Sequence, residues 1–313
     1  MTQGLKPTRT FVGATGIQYE IAGFGYRAVI TELGACLREL EFMGRELIVS
    51  FAVDEPMIAY RGALAAPWPN RIADGQYEAN GIVHQLPINE PSRNCALHGL
   101  VFNERWHLIA HTADALSLGL DLLPSIGYPF HLAFSVTYSV TASGLRTSVE
   151  ATNLGTDIAP YGVCPHPYLR AGASPLNSWT LSLPAERYLE VSADRLLPLA
   201  LAPVQNSTFD FRQPREIGST EIDHAFTALR RHDGLASVEL RERDGAGVAM
   251  TFDDSCSWVQ IHTADIPGGG HDRLGLAVEP MTCAPDAFNS QDSVVNLTAG
   301  AVHQARWTIS AIQ

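Results

Sequence analysis

Positive charge is scarce in this sequence. Its 313 residues include 21 lysines and arginines against 33 aspartates and glutamates, so the formal net charge is −12. Nonspecific binding to nucleic acid or to an anionic membrane needs a basic face, and the sequence therefore argues against both kinds of partner. A small ligand that is recognised locally fits this charge better.

Disulfide spacing and long apolar runs are absent as well. The five cysteines are odd in number, widely spread and never arranged as Cys-x-x-Cys, which favours a reducing compartment. The N-terminus lacks the apolar core of a signal peptide, and no apolar run reaches the length of a membrane span. We expect a soluble cytoplasmic protein, either a monomer or a homodimer.

Motifs for metal, nucleotide and serine-hydrolase chemistry are also missing. The sequence contains no H-E-x-x-H, no G-x-S-x-G and no P-loop, and it predicts neither a metal nor a cofactor. Residues 267–271 are rich in glycine but open no helix, which is more typical of a mobile loop beside a site than of a phosphate cradle. We interpret the remaining histidines as structural or surface residues, among them His107, His111, His131 and His262.

What the sequence does contain is period-two alternation of apolar residues, the pattern of half-buried strands. Sustained helical periodicity is nearly absent, and 26 glycines and 19 prolines punctuate the chain. These features predict an all-β sandwich or barrel, and no linker or repeat divides residues 1–313 into more than one domain. Strands are predicted at 26–30, 116–122, 134–140, 145–151, 179–183, 237–241, 248–252, 258–263, 274–278 and 306–309.

The segment Val163-Cys-Pro-His-Pro-Tyr-Leu169 holds one histidine between two prolines. Each proline pushes the residue before it out of the helical region, so Cys164 and His166 should both be extended. Rigid presentation of a group that titrates near neutrality is what proton transfer requires. A packed histidine on an edge strand would give the same pattern.

An apolar strand runs into Glu279-Pro280 near the C-terminal end of the chain. A carboxylate at the end of a buried strand is desolvated, and desolvation raises its pKa toward neutral, which is how a general base is made. The alternative is a glutamate that turns out to solvent at the end of the strand.

Three further segments carry more polar chemistry than folding needs. Arg71 follows a rigid Pro-Trp-Pro-Asn run and could hold a ligand hydroxyl, or it could pair with Asp74 or another acid. His98 precedes a glycine that permits close backbone approach. Asp223 lies beside a histidine between apolar residues, where an ordinary turn cap is the alternative.

Taken together and in order, these segments resemble the aldose 1-epimerase (galactose mutarotase) family. The resemblance rests on Asn70-Arg71-Ile72 with Gly75, Leu97-His98-Gly99 with Trp106, His166-Pro167-Tyr168, Asp223-His224-Ala225-Phe226, and Glu279-Pro280 with Pro285-Asp286-Ala287. It implies a single large antiparallel β-sandwich that binds a monosaccharide in a groove on one face.

The resemblance also implies roles for the candidate residues. His166 would protonate the ring oxygen of the sugar, and Glu279 would take the proton from the anomeric hydroxyl. Arg71, His98 and Asp223 would hold the sugar hydroxyls. A glycosidase would usually use two carboxylates, so the pairing of histidine with glutamate favours ring opening.

Some positions depart from the family pattern and affect the expected substrate. Pro165, Leu100 and Met281 replace residues that are common in the family, and the Pro-Trp-Pro run resembles a bacterial subgroup that includes sulfosugar mutarotases. Two alternatives to a mutarotase of neutral aldohexoses follow. One is an epimerase for an anionic sugar, for which Arg27, Arg93, Arg105 and Arg170 are available; the other is a noncatalytic sugar-binding protein.

Overall fold

The fold is an antiparallel β-sandwich. The computed structural model describes residues 10–265 and 272–313, so the glycine-rich segment 267–271 lies outside the described residues. The strands are β1 Thr10–Gly13, β2 Gly16–Gly23, β3 Tyr26–Thr31, β4 Leu37–Phe42, β5 Arg45–Glu46, β6 Leu64–Ala65, β7 Arg71–Ala73, β8 Gln76–Ala79, β9 Ile82–Gln85, β10 Cys95–Leu97, β11 His107–His111, β12 Ala115–Leu122, β13 Leu132–Thr141, β14 Gly144–Asn153, β15 Ala159–Tyr161, β16 Cys164–Pro165, β17 Tyr168–Leu169, β18 Thr180–Ser182, β19 Ala185–Val191, β20 Pro198–Pro203, β21 Arg215–Glu216, β22 Asp223–Leu229, β23 Ala236–Arg241, β24 Gly247–Phe252, β25 Trp258–His262, β26 Leu276–Met281, β27 Val295–Leu297 and β28 Val302–Ile312.

In residues 10–265 and 272–313 helix is confined to single turns, as the missing helical periodicity predicted. One α-helical turn, α1, spans Ala287–Ser290, and 3-10 turns span Pro91–Arg93, Val101–Asn103 and Leu176–Ser178. Within the part of the chain that the structure describes, no helix is long and apolar enough to cross a membrane.

Three sheets make up most of the molecule. The largest has nine strands in the order β11-β12-β13-β14-β28-β24-β23-β18-β21, the second has six in the order β17-β26-β25-β22-β19-β20, and the third runs from β1 to β5. One buried cluster contains Val136 of the first sheet, Ile261 of the second and Ile30 of the third. The sheets therefore share a core, as expected if residues 1–313 form one domain, which stays a prediction.

Alternation of burial accounts for the strands that the sequence revealed. In β13 buried and partly exposed residues alternate without a break, and β13 continues into β14 through a turn at Thr141 and Gly144. One face of β13 packs on the core and the other is partly exposed, which is why its apolar residues recur with period two.

One predicted strand is displaced in a way that matters for function. The strand expected at 274–278 instead spans Leu276–Met281, so Glu279 lies inside β26 and not at its end. Pro280 does not stop the strand because the backbone bonds on either side of it are made, from Val278 N to Pro167 O and from Thr282 N to Val163 O.

An aromatic cluster supports the segment that carries Asn70 and Arg71. Phe288 of α1 is 2% exposed, and its ring lies 5.9 Å from Trp68 and 5.0 Å from Tyr77 between centroids. Next to it, Asp286 N donates to Arg71 O at 2.9 Å. Packing of α1 therefore positions β7.

Replacing Phe288 by alanine should lower the free energy of unfolding by about 3–5 kcal/mol, because it leaves a cavity among these rings. Phe288→Leu should cost less than about 1.5 kcal/mol since it keeps most of the volume. Chemical denaturation followed by tryptophan fluorescence measures both. Phe24→Ala, at a side chain 66% exposed, is the control. Equal losses for Phe288→Ala and the control would contradict this role.

Candidate functional site

All five candidate residues line one cavity of about 150 Å³. They are Arg71, His98, His166, Asp223 and Glu279. They arrive on separate elements: Arg71 begins β7, His98 follows β10, and Asp223 and Glu279 lie on β22 and β26 of the six-stranded sheet. His166 lies in the short gap between β16 and β17. The structure therefore brings the five residues that the sequence analysis singled out into one cavity.

His166 and Glu279 face each other at the bottom of this cavity. The Nε2 atom of His166 lies 3.3 Å from Oε1 of Glu279, and the two residues are 5% and 1% exposed. The His166 backbone is fixed by bonds from its N–H to Ala63 O at 2.9 Å and from Gly62 N to its carbonyl at 2.8 Å. A rigid backbone and near-complete burial hold the pair in contact.

Burial shifts the pKa of each residue of the pair in the direction that favours its neutral form. Desolvation, with a further contribution from His262, lowers the pKa of His166 to about 3. Desolvation also raises the pKa of Glu279 well above its ordinary value, reinforced by the negative charge of Asp223, although the Cys164 thiol donates to Oε2 at 3.8 Å and opposes the shift. Both shifts favour the uncharged form of the pair, in which a neutral imidazole and a protonated carboxyl hold one proton between two acceptors.

Arg71 is fixed by a partner that the sequence did not identify. Its Nε and Nη2 atoms donate to the two carboxylate oxygens of Glu90 at 2.7 and 2.9 Å. Of the two pairings that the sequence allows, with Asp74 or with another acid, the second is made, and Asp74 instead binds Arg195 at 2.8 Å. Glu90 therefore holds a planar guanidinium at the wall of the cavity in one orientation.

His98 is presented by an unusual backbone. It has φ of +59°, and the next residue, Gly99, has φ of +73°. A Cβ on Gly99 would lie 2.0 Å from the carbonyl oxygen of Ala66, so glycine is required for this approach. The turn brings the ring of His98 to within 4.9 Å of the His166 ring between centroids.

The tautomer of His98 follows from its hydrogen bond. Nδ1 of His98 accepts from the backbone N–H of Asn70 at 3.3 Å, so the proton of the neutral ring is on Nε2. Burial and the neighbouring His166 lower the pKa of His98 well below its ordinary value and keep the ring neutral. His98 therefore offers an N–H donor to a ligand oxygen.

The position of the ring proton on His98 also affects whether the site suits a metal ion. His98, His166 and Glu279 offer ligand atoms that all lie within 4.8 Å of one another, a spacing that could hold a metal ion. A metal-bound histidine usually donates its other ring N–H to an acceptor, whereas Nδ1 of His98 accepts one. The arrangement suits a ligand hydroxyl better than a metal.

Sequence reasoning missed several residues of the cavity wall, namely Tyr60, Asn70, Tyr168, Gln260 and His262. Gln260 donates to Asp223 Oδ1 at 2.6 Å and thereby orients that carboxylate. His262, interpreted from the sequence as structural or surface, lies at the cavity. The alternation in β25 was the available signal, since Gln260 and His262 share one face of that strand.

A second cavity of about 430 Å³ adjoins the first. Arg71, Asp223 and His262 line both, and Arg93, Glu221 and His224 complete much of the second. A cavity of about 560 Å³ elsewhere, beside Leu100 and Leu122, contains none of the five candidate residues. The polar groove formed by the first two cavities is the candidate site.

A family model described as "Aldose 1-epimerase" matches residues 18–310 of this chain. The chain belongs to the aldose 1-epimerase family. The uncharacterized protein YihR of Escherichia coli is 36% identical over 301 residues, covering 96% of this chain and 95% of its own. The galactose mutarotase of Homo sapiens is 30% identical over 66% of this chain and 63% of its own.

Solved structures agree with the family assignment at the level of the fold. A galactose mutarotase-like protein from Clostridium acetobutylicum superposes with a TM-score of 0.84 at 17% identity, covering 97% of this chain and 98% of its own. A galactose 1-epimerase from Lactobacillus acidophilus gives 0.77 at 17% identity, covering 97% and 99%. Membership in this epimerase family implies isomerase chemistry.

The raised pKa of Glu279 should be measurable as a pH-dependent cost in stability. Because the pKa of Glu279 is raised on folding, the folded state keeps this proton to a higher pH than the unfolded state, which releases it above about pH 4.3, so stability falls as pH rises. Glu279→Gln removes that penalty. We expect the variant to gain stability relative to the wild type as pH rises from about 4.3 toward 7.

This advantage should shrink as pH falls and vanish below about pH 4.3, where both states of the wild type carry the proton. Urea denaturation across this pH range measures it. Glu216→Gln, at a side chain 54% exposed, is the matched control and should show no such trend. A stability difference between Glu279→Gln and the wild type that does not grow as pH rises would contradict the raised pKa of Glu279.

Proposed function

We propose that this protein is a mutarotase, an aldose 1-epimerase that interconverts the α and β anomers of a free aldohexose. The observation that carries the proposal is the contact of His166 Nε2 with Glu279 Oε1 at 3.3 Å inside a polar cavity. Opening a cyclic hemiacetal needs one proton delivered to the ring oxygen and one removed from the anomeric hydroxyl. An adjacent acid and base supply both.

The reaction follows from the single proton of the pair. In the reactive form His166 carries it, and Glu279 is ionised. His166 protonates the ring oxygen through Nε2 while Glu279 takes the proton from the anomeric hydroxyl, and the C1–O5 bond breaks to give the open aldehyde. The pair is then uncharged, which is the form that burial favours. Rotation about C1–C2 and reclosure with the roles reversed give the other anomer.

Arg71, His98 and Asp223 hold the sugar in this scheme. Arg71 and the Nε2–H of His98 donate to sugar oxygens, while Asp223 accepts from a hydroxyl. Glu90 and Gln260 hold two of these groups in place. Each such contact contributes roughly 0.5–1.5 kcal/mol, or about 1.5–3 kcal/mol where a charge is involved. Together these fixed groups position the hemiacetal between His166 and Glu279.

His166→Ala and Glu279→Gln should each lower kcat by about 10²–10⁴, because each removes one proton-transfer group. Polarimetry of freshly dissolved α-glucose and α-galactose measures the rate. His232→Ala and Glu216→Gln, both at exposed side chains, are the matched controls and should keep wild-type rates. Wild-type protein that binds a sugar but is no faster than buffer would favour the noncatalytic alternative and refute the proposal.

A second candidate substrate, an anionic sugar, has one observation in its favour. Arg93 lines the second cavity, and Arg71 and Arg93 share the single carboxylate of Glu90. One positive charge is therefore left over on that wall. Arg27, Arg105 and Arg170 bind glutamates outside both cavities. Glu221, Asp223 and Asp265 also line the second cavity and oppose an anion, so we prefer the neutral sugar.

If the substrate is anionic, Arg93→Ala should raise KM for glucose 6-phosphate or sulfoquinovose about tenfold or more, since a hydrogen bond to a charge is lost. KM for glucose should stay unchanged. Mutarotation rates for the three sugars, with Arg170→Ala as the control, decide this. Equal KM values for all three sugars in wild type and variant would exclude the anionic substrate.

We also propose a cytoplasmic location, with a monomer or homodimer as the assembly. All five cysteines are free and buried, which suits a reducing compartment.

A further inference from the structure

His262 stands between the two cavities of the groove. It lines both of them, and in the strand register it lies opposite Asp223 of β22 and Ala277 of β26. No role in binding or proton transfer has been given to it so far. With Arg71 and Asp223, it is one of three side chains that a ligand meets on passing from one cavity into the other.

The orientation of the ring leaves part of it open to a ligand. Nδ1 is buried and lies 3.8 Å from Oδ1 of Asp223, too far for a hydrogen bond. The side chain is nevertheless 23% exposed, so the open part is the rest of the ring, which includes Nε2. The ring also meets the edge of Tyr168 at 6.4 Å between centroids, which limits its rotation.

The size of the first cavity indicates that the substrate reaches past it. Small-molecule sites usually measure about 300–1,000 Å³, and the cavity that holds His166 and Glu279 measures about 150 Å³. The adjoining cavity of about 430 Å³ supplies the missing room. A sugar whose anomeric end meets the acid and base must extend in that direction.

The covalent structure of the pyranose ring identifies which part of the sugar extends toward the second cavity. Under the proposed function His166 meets the ring oxygen, and C5, which is bonded to that oxygen, carries the exocyclic CH₂OH group. The group therefore emerges on the His166 side of the sugar. The ring of Tyr168 lies 5.3 Å from that of His166 and 6.4 Å from that of His262, so these three rings lead from His166 to the second cavity.

We propose that His262 is a specificity-determining residue that hydrogen-bonds the exocyclic group on C5 of the substrate, with the second cavity receiving any larger substituent there. The proposal rests on the proposed function, because the ring oxygen is assigned to His166. It predicts that His262 matters for hexoses and not for pentoses of the same stereochemistry, which lack the exocyclic carbon.

The test compares D-glucose with D-xylose and D-galactose with L-arabinose, pairs that differ only in the CH₂OH group. The quantity measured is the hexose-to-pentose ratio of kcat/KM by polarimetry. His262→Ala should lower this ratio about tenfold, through loss of hexose activity. His262→Gln, which keeps a polar group near the position of Nε2, should restore much of it. His232→Ala, at a histidine 95% exposed, is the control.

Each other outcome overturns the assignment in a recognisable way. Equal losses on hexose and pentose would mean that His262 acts on the reaction centre or on folding. No change on either sugar would mean that it does not contact the substrate. Wild-type protein that accelerates none of the four sugars would refute the proposed function itself, and the assignment of His262 would fall with it.

Discussion

Exclusion of water from one carboxyl group is the constraint on which the site depends. Glu279 is 1% exposed, and a lone carboxylate so deeply buried would cost several kcal/mol. The protein meets this cost by placing the carboxyl against an imidazole that is equally buried, so that one proton can neutralise the pair. The positive charge of Arg71 opposes the rise in the pKa of Glu279 only weakly, since Arg71 is itself paired with Glu90.

The fold produces this contact with very short pieces of strand. β26 is a full member of the six-stranded sheet, and it presents Glu279 opposite Gln260 of β25. β16 and β17 are only two residues each, and His166 lies between them, where the flanking prolines remove backbone donors that a longer strand would need. The six-stranded sheet thus fixes Glu279, while a stiff connection fixes His166.

Much of this could be predicted from the sequence, for identifiable reasons. Strands such as β13 alternate cleanly because one face is buried, and the prolines around His166 restrict its backbone without help from the rest of the chain. Five spaced motifs indicated the family and hence which residues converge. Chain order alone contains no information on how far apart His166 and Glu279 lie in space.

Other features depend on tertiary contacts that leave no local trace. Glu90 follows a polar loop and gives no sign that its partner is Arg71 and not Asp74. Pro280 looked like the end of a strand because its tolerance depends on the backbone of the opposing segment. His262 resembled any other strand histidine: the alternation in β25 places it on one face with Gln260, but it does not reveal that this face borders the groove.

If His166 and Glu279 act as proposed, turnover requires no exchange of protons with the solvent. The proton that leaves the anomeric oxygen would remain on Glu279 and the one given to the ring oxygen would come from His166, so the protein and the sugar together would neither gain nor lose hydrogen ions. No chain of water molecules to the surface and no buffer species would then be needed to recharge the pair, whose two side chains are buried from solvent.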